Sequence, residues 1–72
     1  MQKGIAEKVI VQLKAYTKKE LRLMYNISPH VLREWLRAIP ETEDTGRKNW
    51  LDIGQVEALF KVRGVPGERH FN

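Results

Sequence analysis

Three times in this chain a helix start is spelled out in local side chains, and those starts constrain the fold more than any other feature. Thr17 and Glu20 form the Thr-x-x-Glu pattern of a capping box. The threonine hydroxyl accepts from an orphan amide and the glutamate reaches back to the cap. Ser28 repeats the logic as a cap, with Pro29 at the first helical position, where its missing N–H costs nothing. Asp52 with Gln55 is the third start. An apolar residue before each cap can staple to one inside the helix: Tyr16 to Leu21, Ile27 to Leu32, Leu51 to Val56. Each cap is worth about 1 kcal/mol.

The stops are equally local. Asn26 can take the left-handed conformation that ends a helix, second only to glycine. Pro40 halts the second helix near Ala38 or Ile39. Gly64 and Pro66 end the third, and Val65 can fold back on Phe60. Helices are therefore expected over 18–25, 29–38 and 53–63.

The flanking segments are less determinate. Val9, Val11 and Leu13 alternate with Lys8, Gln12 and Lys14, which suits a strand over about 8–14. Ile5, Val9, Leu13 and Tyr16 also fit a helical stripe; the β-branched run favours the strand. Between the second and third helices, Asp44-Thr45-Gly46 has turn composition. The segment is long enough for a wing hairpin over 41–50, with Arg47 and Lys48 at or after its tip. The expected fold is mainly α with a small β component, a three-helix winged helix-turn-helix. At 72 residues it is one domain, with frayed ends at 1–4 and 67–72.

Bulk composition excludes more than it identifies. With no cysteine, disulfides and thiolate metal sites are ruled out. His30 and His70 are the only histidines, so a zinc site would need scattered carboxylates, and neither metal nor cofactor is expected. No nucleophile–base pair, phosphate loop or catalytic carboxylate pair stands out, so the chain does not read as an enzyme. No apolar run approaches a membrane span and no signal peptide is visible, which fits a cytoplasmic protein. Thirteen lysines and arginines against nine acids leave a net charge of +4, a mild bias toward an acidic partner.

The second helix carries the functional signal. Leu32, Trp35, Leu36 and Ile39 follow the spacing of a buried stripe. His30, Arg33 and Arg37 fall on the opposite face, with Glu34 among them. Arginine suits the paired acceptors of guanine in the major groove, and the N-terminal half of a recognition helix meets base edges. This puts His30 and Arg33 near bases and Arg37 near a phosphate. Lys18, Lys19 and Arg22 can clamp the backbone, and Arg47 and Lys48 can reach an adjacent minor groove. The same face also reads as an ordinary solvated helix surface. Glu41, Glu43 and Asp44 place three acids beside the wing, where phosphate is repelled. Trp35 and Trp50 are expected in packing roles rather than as base-stacking platforms, although an exposed Trp50 would reopen single-strand binding. A rival reading is a protein-interaction or dimerisation module built on the same fold, with Leu23, Val31 and Val62 as an apolar strip.

These residues resemble a known family. Tyr25-Asn26-Ile27-Ser28 is similar to the Tyr-Gly-Val-Ser turn of excisionase-like and MerR-like winged-helix proteins. Val31-Leu32-Arg33-Glu34-Trp35 resembles the Thr-Leu-Arg-x-Trp/Tyr run of their recognition helix. Arg47, Trp50 and the run to Val56 resemble the arginine, aromatic and Gln-Val sequence that leaves the wing. Arg63-Gly64-Val65-Pro66 is similar to the Leu-Gly-x-Pro ending of small members. The resemblance covers about residues 15–66. It implies Arg33 as a DNA contact, Arg47 and Lys48 as backbone contacts, and double-stranded DNA as the partner. Asn26 stands where the family has glycine, and the acids approaching the wing depart from its pattern. The long dimerising helix and effector domain of MerR regulators are absent, so no small-molecule effector is expected. A small transcriptional regulator or excisionase-type architectural factor fits, alone, as a homodimer or within a larger nucleoprotein complex.

Overall fold

The structure, a computed structural model, describes residues 11–66. Its elements follow in the order β1 (Tyr16–Thr17), α1 (Lys18–Tyr25), α2 (Pro29–Ala38), two 3-10 turns (Pro40–Thr42 and Thr45–Arg47), β2 (Trp50–Leu51) and α3 (Ile53–Arg63). The three helices keep the bounds expected from the caps, because each cap makes its bonds. The Thr17 hydroxyl accepts from the Glu20 amide at 3.0 Å, and the Glu20 carboxylate accepts from the Thr17 amide at 2.8 Å. That second bond holds the Glu20 carboxyl below the usual carboxylate range. Ser28 Oγ accepts from Val31 N–H at 3.1 Å. Asp52 and Gln55 close the third box at 2.8 and 3.1 Å.

The turn between α1 and α2 is set by one residue. Asn26 has φ 58° and ψ 49°, the left-handed conformation. From there its amide points back to the Arg22 and Leu23 carbonyls, and Ile27 N–H donates to Arg22 at 2.9 Å. α2 leaves at once from the Ser28 cap, giving a helix-turn-helix. Gly64, at φ 85°, turns the chain out of α3.

The core is assembled from the apolar stripe of each helix. Leu21 and Tyr25 from α1, Leu32 and Leu36 from α2, and Val56, Leu59 and Phe60 from α3 are buried, joined by Tyr16, Ile39 and Leu51. Trp35 is half-buried, edge-on to Tyr25 at 5.2 Å, with the Arg63 guanidinium 4.3 Å over its ring. The Tyr25 hydroxyl donates to the Gly64 carbonyl at 2.5 Å, tying α1 to the end of α3. Burial pushes the Tyr25 phenol up to about 12, against the opposing charge of Arg63.

The β component lies elsewhere than expected. β1 pairs with β2 antiparallel, Tyr16 opposite Leu51 and Thr17 opposite Trp50. Residues 11–15 form neither strand nor helix; the rest of the 8–14 segment, like the ends 1–4 and 67–72, lies outside the described residues. Alternation alone makes a strand only where an edge is there to pair with, and β2 pairs with Tyr16–Thr17 instead. The hairpin expected over 41–50 is likewise replaced by the two 3-10 turns. Thr42 and Thr45 explain the change: both are buried. Thr42 Oγ1 lies 2.7 Å from the Leu36 carbonyl and 3.2 Å from that of Ile39, oxygens at the end of α2 that also accept from the Ile39 and Thr42 amides. Thr45 Oγ1 donates to the Thr42 carbonyl at 2.7 Å. These bonds fold the segment inward against α2 and α3.

Candidate nucleic-acid interface

The 3-10 segment closes one side of a concave groove whose other walls are α1 and α2. The groove has a volume of about 400 Å³. Its apolar floor includes Leu32 and Leu36, and its rim carries Lys18, Lys19 and Arg22 from α1, Arg33 and Arg37 from α2, and Lys48 from the segment before β2. Six of the eight cationic or basic positions singled out from the sequence thus converge on one surface. The helical registers account for it: Lys18 and Arg22 are one turn apart on α1, as are Arg33 and Arg37 on α2, and both rows flank the seam where the helices meet.

His30 and Arg47 are not brought in. Both are exposed, but neither lines the groove. Of the three acids near the expected wing, only Glu43 lines it; Glu41 and Asp44 do not. Glu34 lies 3.7 Å from Arg37, an exposed pair one turn apart. Among the described residues the other five groove cations have no carboxylate partner.

Lys18 is half-buried, as are Arg22 and Lys48. The Lys18 ammonium donates to the Thr45 carbonyl, and its backbone N–H donates to Asn49 O at 2.8 Å. Its pKa is lowered, first by burial and then by the charges of Arg33 and Lys48. The groove therefore holds unneutralised positive charge crowded enough to perturb one of its own members. It can accept anionic oxygens from several sides at once.

Two features escaped the sequence reading. Thr42, Thr45, Gly46 and Asn49 form the groove wall, from a stretch that reads as a solvated turn. The paired threonines three apart after Pro40 were the available signal, but hydroxyls at that spacing are equally at home in exposed turns. Trp50 is the second. Expected in packing, it is 47% exposed, because the pleat that turns its neighbour Leu51 fully inward turns Trp50 out. Lys48 Nζ stands 4.3 Å from its ring centroid.

No protein-family model, curated protein or solved structure matches the chain. Among the described residues no group of three or more His, Cys, Asp or Glu side chains is placed to hold a metal ion. No helix among them is long and apolar enough to cross a membrane.

Proposed function

We propose that this chain binds double-stranded DNA through the α1–α2 helix-turn-helix, as a small transcriptional regulator or excisionase-type architectural factor acting in the cytoplasm. The observation that carries the reading is the convergence of Lys18, Lys19, Arg22, Arg33, Arg37 and Lys48 on one groove, five of them without a carboxylate partner among the described residues. A second observation supports it. Lys19 is the second residue of α1, where the helix dipole disfavours positive charge, and its exposed side chain makes no bond among the described residues of the kind Lys18 makes to Thr45. A cation placed where it destabilises the helix points to a use other than folding.

On this reading Arg33 and Arg37 lie along the duplex while α1 and Lys48 contact phosphates. Arg33 is the side chain to read a base edge, and His30, at the exposed N-terminal end of α2, is the second. The resemblance to excisionase-like and MerR-like proteins agrees with this assignment. The protein-interaction reading draws on Leu23 and Val62, which are 59% and 60% exposed, while Val31 is only half-exposed.

Fluorescence anisotropy with labelled duplexes across a salt series tests the proposal. Neutralising four to six phosphates gives a log–log salt slope of about −4 to −5. Arg33→Ala should flatten differences among duplex sequences, whereas Arg22→Ala should weaken all of them alike and reduce the slope by about 1. No binding to any duplex at low salt overturns the reading. Self-association in sedimentation at the same concentrations would then favour the interaction module.

A further inference from the structure

Trp50 is the one large aromatic residue that the described fold leaves outside its packing. Tyr16, Tyr25 and Phe60 are buried and Trp35 is half-buried, yet Trp50 remains 47% exposed on a two-residue strand. Its position is nonetheless closely defined. Trp50 pairs with Thr17 across the sheet, the preceding Asn49 carbonyl accepts from Lys18 N–H at 2.8 Å, and the Asp52 cap follows two residues later. Lys48 is held too, its ammonium 3.2 Å from Gln55 Oε1, an atom that also accepts from the Asp52 amide. The ring thus sits on a rigid backbone with a pinned cation above it at 4.3 Å.

Its place relative to the groove gives this arrangement a use. Lys48 and Asn49 line the groove and Trp50 is the next residue, so the aromatic surface begins where the cationic groove ends. A nucleic-acid strand with its phosphates along Lys18 and Lys48 carries its next base to the indole. Intact duplex offers no free base face at that point, because its bases are stacked on one another. An unpaired nucleotide does, and an aromatic face beside a cationic track is how single strands are held.

We infer that Trp50 is a stacking platform for an unpaired base at the edge of the groove, so that the preferred partner is duplex DNA with a single-stranded nucleotide beside it. This rests on the DNA-binding reading of the groove and specifies the partner further. Lys48, whose ammonium covers one face of the ring, contributes charge on the phosphate side of the stacked base, and Trp50 contributes its other face.

Three oligonucleotides test it: a blunt duplex, the same duplex with a short single-stranded overhang, and that overhang made abasic. The abasic version keeps the added phosphates and removes only the bases. The base-bearing overhang should bind about 5- to 150-fold more tightly than the abasic one, the range expected for one stacked base. Tryptophan emission should be quenched by the first and not by the second, and Trp50→Phe should lose that quench while keeping most of the affinity preference. Trp50→Ala, checked for folding by circular dichroism, should abolish the preference and leave blunt-duplex affinity little changed. Equal affinity for the base-bearing and abasic overhangs overturns the platform while leaving the groove reading intact. So does a preference that survives in Trp50→Ala. Absence of binding to all three at low salt overturns both.

Discussion

Replacing Lys19 by glutamate reverses the charge at the second position of α1. The side chain is exposed, next to the capping-box Glu20 and three residues before Arg22. A cation there faces the positive end of the helix dipole, at a cost of about 0.3–1 kcal/mol; an anion gains a similar amount. The reversal therefore stabilises the fold by about 0.6–2 kcal/mol at low salt, and attraction between the introduced carboxylate and Arg22, one turn on, adds about 0.2–0.5 kcal/mol. With a urea dependence of about 1 kcal/mol/M for a domain this small, the unfolding midpoint should rise by at least about 0.8 M. The gain should fade in about 1 M salt, where the screening length is only about 3 Å. DNA affinity should move the opposite way, falling on all sequences and losing about one unit of salt slope. Urea unfolding by circular dichroism and anisotropy on the same preparation give both numbers. A variant no more stable than the parent at low salt would refute the dipole argument. A variant that is more stable and binds DNA undiminished would remove Lys19 from the interface.

Two further perturbations probe the features that shape the groove. Thr42→Val keeps the volume and removes the hydroxyl bond to the Leu36 and Ile39 carbonyls, which keep their amide partners, so stability should fall by about 0.5–1.5 kcal/mol; chemical denaturation reads the change, and a neutral result would show that the 3-10 segment does not depend on that bond. Tyr25 should ionise near 12, well after an ordinary tyrosine at about 10. Because its folded pKa is raised, the stability that the neutral phenol contributes is fully present below about pH 10 and is lost as pH rises toward 12. Ultraviolet titration should show a late phase that Tyr25→Phe removes, and a single phase near 10 in the parent would refute the burial argument.

Trp50 and Thr42 show most clearly where sequence reasoning stops. The staple to Val56 turns Leu51 inward, but whether Trp50 on the other face of the strand is covered depends on what packs there, which residue order does not tell. Thr42 has the composition of a turn and the role of a core residue, because the carbonyls it serves are exposed only by the end of α2. The cationic groove was half legible. Arg33 and Arg37 fall on one face by helical periodicity, as do Lys18 and Arg22, but that the two faces meet depends on the angle set at Asn26. His30 and Arg47 carry the same kinds of charge and do not join them, since nothing in their local sequence records the direction of the groove.

The sequence by itself determined three helices, their ends and the turn between the first two. Those features rest on bonds that close within three or four residues, as between Thr17 and Glu20 or Asp52 and Gln55. The tertiary structure decided what pairs with β1, which threonines are buried, which tryptophan is exposed and which cations share a groove. Each of these depends on contacts between segments far apart in the chain, whose free energy comes from burying apolar surface jointly. A local pattern can specify a cap because both partners lie within it; it cannot specify a groove, because the opposing wall is supplied from elsewhere in the chain.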